Sequence, residues 1–215
     1  MKIKPTFLAM ALCILTATVN AQNSTPEGYI KASITLADGT VQSGYIKDNI
    51  KKSASVTFID ASGNNKKVYE GSDINGVKKD AENFICINGD FFKTLSTGKL
   101  NFLQKSSNAS GKVSYNGAEP IFSSGTEGKI GDYFIYADKK LKLLTKKTVA
   151  SFIDTDLIGC AEAIEKAKAA NGDIAKLQEA VEIYNLSNWL MHITNTLKDC
   201  FEFYIFTICR NTIAG

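Results

Sequence analysis

The chain has 215 residues, 25 of them Lys or Arg and 22 Asp or Glu, a formal net charge of +3, and is 44% hydrophobic. That is enough apolar material for a core and too little charge bias for a nucleic-acid binder read from composition. Arg210 is the only arginine and His192 the only histidine, so bidentate phosphate clamps and histidine-based catalysis have almost nothing to be built from.

Residues 1–21 read as an export signal. Lys2 and Lys4 make a basic start, Phe7 to Val19 is a short apolar core, and Val19-Asn20-Ala21 is a small-residue cleavage site that leaves Gln22 as the new N-terminus. The apolar run is shorter than the roughly 20 residues a membrane-spanning helix needs. Cys13 lies in mid-core behind Leu12 rather than behind a small residue, so cleavage and release is expected rather than lipid attachment. Without Lys2 and Lys4 the mature chain holds 23 basic and 22 acidic residues, a net charge near +1. Paired lysines such as Lys51-Lys52 and Lys66-Lys67 read as solvated strand ends and turns. The mature length, about 190 residues, suits one moderate domain or two small ones.

A polar leader, 22–27, precedes a β-rich body over 28–146. Gly28 to Lys47 contains Asp38-Gly39 between two alternating runs, the signal of a two-residue type I′ hairpin. This register sets Leu36 opposite Val41, Ile34 opposite Ser43 and Ala32 opposite Tyr45. It places Ile30, Ala32, Ile34, Leu36, Val41 and Tyr45 on one buried face. Ser55 to Asp60 reads as a third strand with Val56 and Phe58 on one side, Ala61 to Asn65 as a turn, and Lys66 to Glu70 as a fourth strand. Asp73-Ile74 starts a tight turn leading to Val77. A strand, Asp-Gly, a strand with a mid-strand glycine at Gly44, then two further strands resembles the Sm-like or SH3-like small barrel. For 28–77 the resemblance implies a small, strongly bent sheet, and it implies no function, because members of those folds do unrelated work.

A second β region follows. Asn83 to Asn88 ends in an Asn88-Gly89-Asp90 turn, and Phe91 to Leu95 pairs with Leu100 to Gln104 across Ser96-Thr97-Gly98-Lys99. Residues 105–131, rich in Ser, Gly and Asn and containing Pro120, read as a long mobile loop with a short strand at Val113 to Tyr115. Tyr133 to Tyr136 and Leu141 to Leu144 form a hairpin across Ala137-Asp138-Lys139-Lys140.

Near Lys147 the apolar period changes from 2 to 3.6, the helical value. Val149, Phe152 and Ile153 start a short helix. Leu157, Ala161, Ile164 and Ala167/Lys168 carry the next stripe, and Asn171-Gly172 stops it. Asp173 then caps a helix with Ile174, Leu177, Val181 and Tyr184 on one stripe. The result is a helical hairpin over 147–186 and an α+β fold: an antiparallel β-rich body, small barrel or bent sheet, followed by a C-terminal α-hairpin.

Export signal, β-rich body, loop, a Tyr-Phe-Ile strand and an α-hairpin ending in Tyr184-Asn185 resemble the uncharacterised secreted proteins of Bacteroidetes-type bacteria. The resemblance implies export to the periplasm or beyond and no particular activity. Residues 187–215 depart from it. They are rich in Ile, Phe and Thr and hold Trp189, the only tryptophan. Cys200 to Cys209 is apolar but for Glu202 and too short to span a bilayer. This apolar tail reads as a docking helix, as a strand-like aggregation-prone end, or as translation past the natural end. Leu177, Val181 and Tyr184 already give the hairpin an apolar face, so the core does not require it.

No catalytic, cofactor-binding or metal-binding residue is assigned. A Ser–His–Asp or Cys–His site would need His192, which sits in the tail. Scattered cysteines and one histidine do not supply three or four zinc ligands. Ser124-Gly125-Thr126-Glu127-Gly128-Lys129 has the composition of a phosphate loop without its spacing. Asp154 and Asp156 have the spacing of paired acid–base carboxylates, but read better as caps at a helix start. Tyr29, Tyr45, Tyr115, Tyr133 and Tyr136 suit cross-strand packing better than a binding face. Cys86, Cys160, Cys200 and Cys209 leave three disulfide pairings open, and each reads as a small buried apolar residue.

Two functions follow as expectations. One is an exported non-catalytic envelope module that binds a protein or glycan partner, with no nucleic acid and no transmembrane span. The alternative is an enzyme with a carboxylate or tyrosine site. Mass spectrometry of the mature protein is expected to find its N-terminus at Gln22, open or cyclised. A retained Met1, or a lipid on Cys13, contradicts the export reading.

Overall fold

The structure, a computed structural model, describes residues 25–63, 65–111, 113–116, 119–122, 125–191 and 193–194, with the backbone alone for 113–116 and 119–122. The export signal, His192 and the tail from 195 lie outside the described residues. Ten strands form one antiparallel sheet. In chain order these are β1 (Ile30–Leu36), β2 (Val41–Asp48), β3 (Ser55–Asp60), β4 (Lys66–Glu70), β5 (Ile74–Lys79), β6 (Glu82–Ile87), β7 (Asp90–Ser96), β8 (Asn101–Lys105), β11 (Tyr133–Ala137) and β12 (Lys140–Leu143). They are arranged β12-β11-β8-β7-β6-β5-β1-β2-β3-β4, while β9 (Val113–Asn116) and β10 (Glu119–Phe122) pair as a separate ribbon. Helix α1 (Ile50–Ser53) joins β2 to β3. Helices α2 (Val149–Thr155), α3 (Ala161–Ala169) and α4 (177–191) follow the sheet. The α+β class read from the periodicity is the class observed.

The strands of 28–77 continue into β6 and β7 in the same sheet. A bridge between Gly71 and Gly89 draws the end of β4 onto the β6–β7 turn. The curl encloses Ile34, Ile46, Val56, Phe58, Val77, Phe84 and Phe91 in a single core. Gly44 is where Phe58 crosses β2: a Cβ there would meet the Phe58 ring and the Ile59 carbonyl, the kind of close approach that holds a glycine in a strand.

The first hairpin corrects the predicted register. Thr35 pairs with Val41, Ser33 with Ser43 and Ala32 with Gly44. The loop has three residues, not two. Gly39 N–H donates to the Leu36 carbonyl, Leu36 N–H to the Thr40 carbonyl, and Gly39 takes φ 87°, the pattern of a turn closed by a glycine bulge. One residue of slip turns β2 over. Ala32 and Ile34 stay inside, joined by Ile46, while Val41 is 63% exposed and Tyr45 only half-buried. The Asp38 carboxylate, held below its usual range by accepting from the Thr40 amide, favours the longer loop. Two-residue turns with positive φ at both positions occur instead at Asn88-Gly89 and Asp138-Lys139.

The other half of the sheet is buried on both faces. Phe102 and Ile135 face the helices, which bring Val149, Phe152, Leu157, Ala163, Leu177, Val181 and Tyr184 onto them. Phe92, Leu103 and Phe134 form a smaller cluster on the opposite face. Tyr133 stacks on Phe102 at 5.4 Å, so this tyrosine packs diagonally across strands, as the sequence suggests. In α3 the buried positions are Ala163 and Ala167, while Ala161 is exposed and Ile164 half-buried. The helical region also runs past 186 rather than ending at Asn185.

Asn185 fastens α4 to the sheet. Its Nδ2 donates to the Leu100 carbonyl at 2.8 Å and the Thr97 carbonyl at 3.3 Å, and its Oδ1 accepts from the Leu100 amide at 2.9 Å. Gly98 lies directly beneath, where a Cβ would overlap the amide group of Asn185. Gly98→Ala is therefore expected to displace this clamp and lower stability by about 1–3 kcal/mol, the cost of orphaning part-buried polar groups. Denaturant melts decide it, and a variant matching the parent contradicts the clamp.

Candidate functional site

One constellation of charged groups is wholly buried. Asp90 opens β7 just after the Asn88-Gly89 turn, and Lys105 closes β8, each at zero side-chain exposure, with Nζ 3.1 Å from Oδ2. Removing two charges from water costs several kcal/mol per ion unless good hydrogen bonds replace the solvent. Here they do. Asp90 Oδ1 accepts from the Ala109 amide at 2.6 Å and from Ser107 Oγ at 3.4 Å. Oδ2 accepts from the Thr126 amide and from Thr126 Oγ1, both at 2.7 Å. Lys105 Nζ donates to the carbonyls of Thr126, Glu127 and Gly128 at 2.7, 3.1 and 3.3 Å.

The carboxylate thus grips both feet of the 105–131 segment, Ala109 on the outgoing leg and Thr126 on the returning one. The segment is a strap whose two described legs, 105–111 and 125–131, are pinned to the sheet. Its backbone is fixed further by Ser106 N–H to the Phe91 carbonyl, Lys105 N–H to Asp132 and Gly131 N–H to Lys105. Gly128 lies against Phe134 and Leu143, so the returning leg covers the smaller apolar cluster. The phosphate-loop composition of 124–129 acquires the opposite meaning. Three of its carbonyls surround a cation, and the Thr126 donors are taken by a carboxylate. A bound phosphate would meet oxygens.

Beside this latch of Asp90 and Lys105 is a groove of about 290 Å³ between α1, strands β5 to β7 and the strap's returning leg at Ile130 and Gly131. Its charges alternate. Asp48 bonds Lys79, Lys79 reaches Glu82 at 3.5 Å, and Glu82 takes Lys93 at 2.6 Å. Lys79 Nζ sits 4.9 Å from the centre of the Phe84 ring, in cation–π range. Asp48 also accepts from the Ile50 amide at 2.9 Å, tying the row to the start of α1. Burial works against the Lys79 ammonium, but the Asp48 hydrogen bond and the charges of Asp48 and Glu82 outweigh it and raise its pKa. The Lys93 hydrogen bond, against a smaller burial penalty, holds Glu82 below the usual carboxylate range.

The residues weighed from the sequence are dispersed. Asp156 pairs with Lys142 at 2.7 Å, but Lys142 is 53% exposed and Asp154 faces solvent, so the two carboxylates do not converge. Neither caps a helix start: Asp156 is the C-terminal cap of α2, and the residue before α3 is Cys160. Tyr29, Tyr45, Tyr133 and Tyr136 are half-buried at separate places, and the Tyr115 side chain lies outside the described residues. Cys86 and Cys160 are free, and burial pushes the Cys86 thiol up to about 12, which leaves it unreactive at neutral pH. Among the described residues no three His, Cys, Asp or Glu side chains are grouped as metal ligands, and no helix is long and apolar enough to cross a membrane.

Compared with known protein families, curated protein sequences and solved structures, the chain has no significant match.

Lys105→Met strips the cation from Asp90 and from three carbonyls, so it is expected to cost about 3–5 kcal/mol. Amide exchange in the 106–111 and 125–131 legs should accelerate more than in β1–β6. Asp90→Leu combined with Lys105→Met should not restore stability, because backbone amides and carbonyls stay orphaned. Full recovery in that double variant would show the pair to be an ordinary replaceable ion pair.

Proposed function

We propose that the chain is an exported, non-catalytic module of the cell envelope, in the periplasm or outside the cell, whose work is to bind an envelope partner. The observation that carries this reading is the state of its polar groups. The buried constellation of Asp90, Lys105 and Thr126 is saturated, and in the groove Asp48, Lys79, Glu82 and Lys93 are partnered with one another. A general base or nucleophile needs a lone pair free to reach substrate, and these groups have committed theirs. A row of alternating charges over an aromatic ring instead suits recognition, where complementary charge sets register and partner choice. The groove between α1, β5–β7 and Ile130 is the contact surface in this reading.

The test places a photo-crosslinking residue at Lys51, on the groove's rim, in cells exporting the full chain, with the same residue at Lys168 on α3 as control. A discrete adduct is expected from position 51 and not from 168, and Lys93→Glu should reduce it several-fold. No adduct from the groove, or one indifferent to Lys93→Glu, sinks the assignment of this surface.

A further inference from the structure

The strands that curl around Ile34 leave their interior open at the end where β3 turns into β4. Pairing sets Gly44 beside Asp60, Ile46 beside Phe58, Phe58 beside Lys67 and Val56 beside Tyr69, and Gln42 opposite Ile34. The period of two therefore puts Gln42, Gly44, Phe58, Asp60, Lys67 and Tyr69 on the one inner face. Deeper in, that face is core, with Ile34, Ile46 and Val56 fully buried. At the open end Gly44 supplies no side chain, and the Phe58 ring lies where its Cβ would point. A pocket of about 490 Å³ remains, within the size of small-molecule sites, which favour the mouths of β-barrels.

Its floor is aromatic and its rim is polar. Phe58 and Tyr69 meet edge to face at 6.3 Å and are 4 and 7% exposed, so they offer ring edges rather than a broad apolar surface. At the rim are the Gln42 amide, the Tyr69 hydroxyl and the Lys67 ammonium, the last 4.5 Å from the centre of the Tyr69 ring. Among the described residues none of these three groups has a hydrogen-bond or carboxylate partner. Gln42 is half-buried all the same, and polar groups withdrawn from water are ordinarily paired. Asp60, the one carboxylate lining the pocket, accepts from Ser62 N–H, Ser62 Oγ and Asn65 Nδ2. It fastens its own turn and does not neutralise Lys67.

These groups define the chemistry that fits. One ammonium calls for one negative charge, whereas a phosphate dianion would face the Asp60 carboxylate with Lys67 alone to offset it. A primary amide sets donors and an acceptor side by side, which matches neighbouring hydroxyls that both give and take hydrogen bonds. Ring edges below suit a few C–H groups, not a large apolar ligand. We infer that the open end of the curl is a binding site for an acidic saccharide: a sugar ring whose carboxylate meets Lys67 and whose hydroxyls meet Gln42 and Tyr69. The site shares no lining residue with the groove and stands independently of the partner proposed for it.

The test is an NMR titration of the full chain with trigalacturonate, with maltotriose as the neutral sugar and sodium acetate as the carboxylate without a sugar. Trigalacturonate is expected to shift the Gln42 side-chain amide and the Tyr69 ring in a saturable way, while the other two probes leave them in place. Lys67 is exposed, so Lys67→Ala should keep the fold's spectrum and weaken binding about tenfold, the scale of one lost charge-assisted hydrogen bond. Gln42→Ala should weaken it several-fold, and Lys93→Glu in the groove should change nothing. Absence of any shift with trigalacturonate overturns the inference, as does binding indifferent to Lys67→Ala. Equal shifts with acetate would show an unspecific anion site, equal affinity for maltotriose would remove the role of the carboxylate, and sensitivity to Lys93→Glu would place the sugar in the groove; each of these also overturns it.

Discussion

Everything on the strap side of the molecule depends on one buried carboxylate. Asp90 sits at a sheet position fixed on both sides, by the Asn88-Gly89 turn and by pairing with Ile87. From there it holds two backbone amides 17 residues apart, Ala109 and Thr126. Lys105 neutralises it and spends its remaining donors on the carbonyls of the returning leg. Apolar replacement of a buried ion pair is often harmless. This pair differs because most of its hydrogen bonds run to backbone, two amides on Asp90 and three carbonyls on Lys105, beside the hydroxyls of Ser107 and Thr126. Backbone polar groups cannot be mutated away, and unpaired in the interior they cost free energy comparable to a lost hydrogen bond. The pair is therefore a positional device: it sets the returning leg, 125–131, as a wall of the groove at Ile130 and Gly131 and against Phe134 of the smaller cluster at Gly128.

Much of the fold was legible because hydrophobic period is a local signal. Ser55 to Asp60 and Lys66 to Glu70 are strands with the boundaries read from sequence, and Leu177, Val181 and Tyr184 do face the sheet. The hairpin at Asp38-Gly39 failed in a particular way. Asp-Gly serves a two-residue turn and a three-residue turn with a glycine bulge equally well, and the choice sets which face of β2 is buried. Val41 looks like a core residue in one register and lies in solvent in the other. Ile46, which belongs to the core, gives no local hint of it. Gly44 and Gly98 were visible as glycines, but Phe58 and Asn185, the side chains that require them, come from other strands and from a helix far along the chain.

The latch was invisible for the same reason. Asp90 reads as the last residue of a turn, Lys105 as the first residue of a loop and Thr126 as loop composition, and 36 residues separate Asp90 from Thr126. Only the order β6-β7-β8 places them together. What the residues did reveal was negative and still useful. One histidine and one arginine leave histidine-based chemistry and bidentate phosphate clamps little to be built from. In the groove the alternating row Asp48, Lys79, Glu82 and Lys93 is anchored member to member.

The most direct measurement is NMR of the lysine side-chain ammonium groups in the unmodified protein. An ammonium with three backbone carbonyls and a carboxylate around it, and no exposed surface, exchanges its protons slowly. One strongly protected Nζ resonance is expected, assigned to Lys105, with through-hydrogen-bond or nuclear Overhauser contacts to Thr126 and Gly128, distinct from the fast-exchanging lysines of the surface. If Lys105 exchanges as rapidly as Lys51 or Lys140, the latch is open in solution, and neither the strap nor the groove wall it supports is as described.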